Sequence, residues 1–487
     1  MSFHKLFNKT NFTEFDRIPI TGIRGKIPSN LSGALFRNTS VCLERAGTRL
    51  SHWFDGDGAI LRLNFHNSSV EASYKFVRTE AYKKESAAGR FIFPNIGNLA
   101  HTFLDRLRYP NFPVNRANTS VLPLENKLLA LWEGGKPHSL DLETLETKGE
   151  DDLGYLSDRM SYTAHPKIDP QSGFVYNIGQ RKGAYMIDVY VSDGKTGQIL
   201  KHNAIKFDKN PIFIHDMCLA GDYLVFFTFP IKLDLLSVFL RRKTLKDALE
   251  YDENSYSEIV IVSKKSLELV AKIKHDPFFF FHFSNGFVNE KGNLVFDLCE
   301  YENFDVFKKY TSSVLQENYG AEIDEKKNNI DNKQNKKKQF NAFFSRFEID
   351  LQNKKLVAKN KIIDDFCEFP IVPSNSVGKK YSKVYLSQAD EGSTDYLKNA
   401  VLLDIDKQIL NKKKFEDGVF PGEVIHIEST PHRKEGYAIT VAYDAIRDKS
   451  TVYLMDENSL EDVAVFDLPD VTAHSFHGIW KSHEAKL

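Results

Sequence analysis

Short apolar runs alternate with polar residues along most of the 487-residue chain, and clusters of Gly, Asn, Asp and Pro punctuate them. YMIDVYVSDGKTGQILKHNAIKF, SEIVIVSKKSLELVAKIK, SRFEIDLQNKKLVAKNKII, AVLLDIDKQILNKKKF and STVYLMDENSLEDVAVFDLP each read as strand, turn, strand. Period-two alternation of this kind builds half-buried strands and not helices. The hairpins recur about every 40–50 residues, the spacing of four-stranded propeller blades. An all-β fold is predicted, as one domain over residues 1–487. Length favours a closed β-propeller over a sandwich.

Three stretches break the pattern. Residues 86–113 are apolar, aromatic and basic without clean alternation, which predicts short helix mixed with loop. FPIKLDLLSVFLRRKTLKDAL, 229–249, predicts one amphipathic helix, with Leu235, Leu236, Val238 and Phe239 beside Arg241, Arg242 and Lys243. Two readings of it stand: a cap helix packed on the core, or a patch at 229–243 that grazes a membrane, where apolar side chains flanked by basic ones suit the headgroup boundary. The third stretch, 322–339, is polar and charged, and is expected to be a disordered insertion.

Composition narrows the function classes. Lys plus Arg is 65 against 66 for Asp plus Glu, so no global field draws a polyanion, and nucleic-acid binding is not expected. The four cysteines lack CxxC spacing, which argues against a thiolate zinc site or a disulfide framework. The start of the chain has no apolar signal core, and a cytoplasmic protein is the simplest reading. His52-Trp53-Phe54-Asp55-Gly56-Asp57-Gly58 reads as a β-turn held by Asx hydrogen bonds in preference to a calcium loop.

Candidate chemistry rests on histidine. Among 15 histidines, His165, His215 and His282 stand at apolar hairpin entries and His477 lies near the end of the chain. If each starts the innermost strand of a radial β-structure, four imidazoles meet on one axis around one metal ion. Glu133, Glu368 and Glu423 sit in or beside apolar strands, where an unpaired carboxylate is costly. Accepting Nδ1–H from metal-bound histidines would relieve that cost and turn each Nε2 to the metal.

These residues carry a resemblance. GKIPSNLSGALFRN, HWFDGDGAI, NTSV, LALWEGG, TAHPKIDP, FIHD, FFHFSNGF, PGEVIHIE and HSFHGIW run in that order from about residue 20 to 480. The ordered set resembles the carotenoid cleavage oxygenase family, whose branches include stilbenoid-cleaving enzymes and a retinoid isomerase. The resemblance implies a seven-bladed β-propeller with a helical and loop cap, about 86–113 and 229–249, over the face carrying a non-haem Fe(II) site. His165, His215, His282 and His477 match the iron ligands, and Glu133, Glu368 and Glu423 the carboxylates holding three of the rings. Thr119 and Trp132 match positions in the substrate tunnel, and Phe281, with its run of phenylalanines, is a further candidate wall residue. Stilbene-cleaving relatives tend to carry lysine where Trp132 stands, which favours a hydrocarbon polyene here.

The implied activity is an Fe(II)-dependent dioxygenase that uses O₂ to cleave a conjugated C=C bond of a carotenoid or apocarotenoid. Stilbenoid cleavage is the alternative within the family, and a non-catalytic propeller binding protein the alternative outside it. RNTS at 37–40 and IHIES after Glu423 depart from the family pattern but touch no matched ligand. His426 and His474 are not expected to be ligands.

Overall fold

In the computed structural model, residues 3–100, 102–109, 112–310, 315, 342–391, 393 and 396–483 are described. The insertion expected at 322–339 lies outside them. The fold is all-β and propeller-like. Among the described residues, seven sheets have four or more strands, each built mainly from consecutive antiparallel hairpins.

Both ends of the chain stitch the arrangement shut. Strand Ser475–Ser482 joins the sheet of Phe15–Pro19, Gly33–Val41, Asp57–His66 and Ser69–Phe76, pairing with Gly33–Val41. Conversely, Arg24–Gly25 from the N-terminal part forms the outer edge of the sheet containing Tyr437–Asp444, Lys449–Asp456 and Asp462–Asp467. Leu61, Leu63, Ile439, Val452 and Leu454 fill the space between these two sheets. Burial falls from inner to outer strands: Leu294–Tyr301 is buried throughout, whereas Lys355–Ile363 and Ile409–Lys414 are largely exposed and lysine-rich. Charged edges of this kind discourage pairing with another chain.

The stretch at 86–113 mixes helix and loop as expected. Helix Glu80–Ala88 ends on left-handed Gly89, and helix Phe103–Arg108 starts in a capping box between Thr102 and Asp105. The prediction of one helix over 229–249 is wrong. Strand Ile231–Leu233 pairs with Leu249–Tyr251, so the intervening chain must turn back. It does so through helices Leu235–Phe239 and Leu245–Ala248, capped separately by Asp234 and Thr244, with Arg241 at a positive φ of 56° between them. Asp55 accepts from the N–H groups of Ile96 and Gly97, while Asp57 faces Arg45 and Arg116. The segment does turn, as a 3-10 turn Trp53–Asp55 capped by the His52 side chain, but the two aspartates serve distant N–H groups and ion pairs, so the expected local Asx hydrogen bonds are not what holds it.

Candidate metal centre

Four strands or strand entries from four sheets deliver the imidazoles. His165 and His215 stand two residues ahead of strands Lys167–Ile168 and Met217–Ala220, as the hairpin pattern suggests. His282 and His477 instead lie inside strands Phe279–Val288 and Ser475–Ser482, so these two do not begin their strands. In the first of these strands the register shifts between Phe280 and Phe283, an irregularity spanning His282.

The four rings converge. One potential ligand atom from each of His165, His215, His282 and His477 lies within 4.8 Å of the other three. His165 has ring centroids 4.4 Å from His215, 5.1 Å from His282 and 4.6 Å from His477. Three carboxylates stand behind the rings. Glu368 Oε2 is 2.6 Å from Nδ1 of His282, Glu423 Oε1 is 2.9 Å from Nδ1 of His477, and Glu133 Oε1 is 3.3 Å from Nδ1 of His215. Two of the remaining oxygens are held in turn. Glu368 Oε1 accepts from the Tyr301 hydroxyl and Glu423 Oε2 from the Gly478 N–H. Arg37, fully buried, donates to the Glu423 backbone carbonyl at 2.8 Å.

Electrostatics tests whether a cation fits. Burial, then the charges that neighbouring imidazoles would carry, holds His165, His215 and His282 well below the usual histidine range, so these rings are neutral. Burial pushes the Glu368 carboxyl up to about 8, against the pull of the Phe369 N–H and the Tyr301 hydroxyl. Glu133 is driven well above the ordinary carboxylate range by burial and by the charge on Asp216. Glu423 is also buried, but His477 and Arg37 outweigh that cost and hold it below the usual range.

With Nδ1–H donated to a carboxylate, His215, His282 and His477 each present an Nε2 lone pair. Nε2 of His215 and Nε2 of His282 then face each other at 3.2 Å, and the buried Nε2 of His165 has no hydrogen-bond partner. Facing lone pairs repel unless a cation lies between them. Imidazole nitrogens about 2.1 Å from a divalent ion stand about 3.0 Å apart when adjacent and about 4.2 Å apart when opposite. The donor set therefore fits one divalent ion.

Apolar rings border the imidazoles. Phe281 lies 5.2 Å from His215, and Phe369 is stacked 5.4 Å from His282. Phe54 links Phe281 to Phe476, the neighbour of His477, at 6.3 and 5.3 Å. The phenylalanine run divides: Phe278 and Phe280 pack into the sheet against Phe227 and Phe229, while only Phe281 reaches the imidazoles. Thr119 donates its N–H to Leu131 and its hydroxyl to Asn118. Trp132, half-buried, leads into Glu133, and a Cβ on Gly134 would stand 2.8 Å from its ring. His426 is paired with Glu457 and His474 packs on Phe3 and Trp53, both outside the cluster.

Residues 8–482 match the model of the family described as RPE65, retinal pigment epithelial membrane protein. The chain belongs to the RPE65/carotenoid cleavage oxygenase family. Within this family it is 28% identical over 481 residues to the apocarotenoid-15,15'-oxygenase of Synechocystis, covering 95% of this chain and 92% of that protein. A carotenoid isomerooxygenase of Galleria mellonella is 27% identical over 307 residues, covering 58% of this chain and 60% of that one. The crystal structure of cobalt-substituted Synechocystis ACO superposes with a TM-score of 0.84 at 25% identity, covering 98% of each chain. The family thus includes both oxygenases and isomerooxygenases, and this chain shares its propeller-like fold and carries a four-histidine cluster able to bind a metal.

Tyr301, Arg37 and Asp216 belong to the site's surroundings, although no spacing or residue pattern in the sequence marks them as such. Arg37 and Asp216 do fall within family-matching pieces, GKIPSNLSGALFRN and FIHD. Tyr301 has no such signal, because its partner Glu368 is reached only through the fold.

Proposed function

We propose that the protein is a non-haem Fe(II)-dependent dioxygenase that cleaves a conjugated C=C bond of a carotenoid or apocarotenoid into two carbonyl products. The observation that carries this reading is the meeting of four imidazoles, three of them backed by the carboxylates of buried Glu368 and Glu423 and of half-buried Glu133, whose two oxygens are themselves buried. Four imidazole ligands bring no negative charge and so leave a ferrous ion its full charge, unlike the commoner site of two histidines and one carboxylate.

In this reading His165, His215, His282 and His477 hold the iron, and the three glutamates fix ring tautomer and direction. When bound, ferrous iron supplies a place for O₂ to bind and be activated beside an alkene. The chain's own part is positioning. Phe281, Phe369 and Phe54 form apolar walls that exclude water and hold a polyene flat against the imidazoles. Thr119 and Trp132 belong to the same tunnel, and tryptophan in place of lysine at 132 favours a hydrocarbon polyene over a phenolic stilbenoid.

The seven sheets support a seven-bladed propeller, with 86–113 and 229–249 capping the face that carries the site. No helix among the described residues is long and apolar enough to cross a membrane. Leu235, Leu236 and Phe239 are 53%, 67% and 73% exposed, which supports peripheral membrane contact through 229–243 by a cytoplasmic enzyme.

The test is product analysis under ¹⁸O₂. Purified, Fe(II)-loaded protein is offered a panel of carotenoids, apocarotenals and stilbenes, and products are weighed by mass spectrometry. Labelled apocarotenals support the reading. Labelled hydroxybenzaldehyde or an unlabelled isomer would overturn it in favour of another branch, and binding without turnover in favour of a non-catalytic propeller binding protein.

A further inference from the structure

Three imidazoles have a carboxylate at Nδ1, but His165 does not share that pattern. Its nearest paired oxygen is Glu133 Oε1 at 3.9 Å from Nε2, and that oxygen also faces His215. The segment bearing His165 is fastened differently. The Ser120 hydroxyl donates to the Ala164 carbonyl, and Lys167 Nζ reaches Asp216 Oδ1 at 2.8 Å.

Asp216 is placed to do more than neutralise Lys167. Its Oδ1 also accepts from the Met217 N–H at 2.7 Å, and its Oδ2 from the Phe283 N–H at 2.8 Å. It directly follows His215, bonds the residue directly following His282, and is paired with the residue two beyond His165. The three strands concerned, Lys167–Ile168, Met217–Ala220 and Phe279–Val288, lie in three different sheets. No ladder of strand hydrogen bonds therefore sets these segments relative to one another, and one side chain, 1% exposed, spans all three.

We propose that Asp216 and Lys167 are positioning residues for the metal centre, fixing His165 against His215 and His282 in place of the carboxylate that His165 lacks. This rests on reading the four-imidazole site as an iron site. Neither residue touches the ion. Losing either frees the His165 segment, so that one of four nitrogen donors is held loosely and iron leaves faster. The two act as one unit.

The experiment measures iron release from the full-length Fe(II)-loaded protein to a ferrous chelator, with unfolding of the metal-free protein followed in parallel. Lys167→Met removes the cation and keeps its stem, while Asp216→Asn retains an oxygen for a backbone N–H. Lys413→Met, breaking an ion pair with Asp462 at an edge strand, serves as control. Release is expected to rise about tenfold or more in Lys167→Met and in Asp216→Asn, as for other residues that orient metal ligands. The double variant should be no faster than either single one, Lys167→Arg should restore slow release, and Lys413→Met should leave it unchanged. Release from folded Lys167→Met within about twofold of the wild type, or no rescue by Lys167→Arg, would overturn the proposal. If Asp216→Asn does not fold, the two Lys167 variants still decide. Wild-type protein that holds no iron would instead overturn the iron-site reading itself.

Discussion

Glu368 stands 2.6 Å from Nδ1 of His282, close enough to fix which of that ring's nitrogens faces the other imidazoles. The same carboxylate accepts from Tyr301 and from the Phe369 N–H, so its orientation is set from three sides. Replacing it with glutamine keeps the shape and lets the amide present its N–H₂ to His282. Glu368→Gln is expected to weaken iron binding about 10–100-fold, the usual cost of losing a carboxylate behind a ligating histidine. Tyr301→Phe removes one supporting hydrogen bond and should cost only about 1 kcal/mol. Iron content after dialysis against graded chelator measures both.

Arg37 governs the second carboxylate. Its guanidinium is fully buried, its ordinary basicity pushed down to about 10 by that burial, and its Nη2 lies 3.9 Å from Glu423 Oε2. Arg37→Met leaves the Glu423 charge buried without its cation, which costs about 3–5 kcal/mol. Chemical denaturation of the metal-free variant should show that loss, and Glu423→Gln in the same background should recover part of it.

If Phe281 is a wall of the proposed substrate site, its replacement should separate substrate binding from metal binding. It is buried beside His215 but offers no ligand atom. Phe281→Leu, which shortens the wall without emptying it, should raise KM for a polyene or change the product pattern while iron content stays at the wild-type level. Steady-state kinetics and metal analysis on the same preparation check this.

The exposed apolar side chains between 229 and 249 extend to a second group, since Arg241 donates to the Tyr109 carbonyl and Phe103, Leu104 and Leu107 are also exposed. Burying each such side chain in a bilayer contributes about 1.5–3 kcal/mol. Exchange of Leu235, Leu236 and Phe239 for aspartate should therefore abolish liposome sedimentation and leave iron content intact.

The histidines are legible in the sequence because each lies in one piece of the ordered family-matching set, TAHPKIDP, FIHD, FFHFSNGF and HSFHGIW, and the hairpins because period-two alternation is a local property. What it conceals is what distance along the chain conceals. Arg37 meets Glu423, and Tyr301 meets Glu368, only through ring closure and sheet packing, so neither partnership leaves a trace in spacing. The helix expected across 229–249 fails for a related reason: its apolar spacing is helical, but pairing of Ile231–Leu233 with Leu249–Tyr251 imposes a reversal that Asp234 and Thr244 then cap. His282 lies within its strand, not at its start, where a register shift falls between Phe280 and Phe283 that no residue type there announces.

X-ray absorption at the iron edge of anaerobically Fe(II)-loaded protein tests the central claim most directly, because it counts and measures the donors themselves. Four imidazole nitrogens at about 2.1 Å, falling to three in His165→Ala, is the result predicted. A first shell with a protein carboxylate among the ligands, or with fewer than four imidazoles in the wild type, would contradict it.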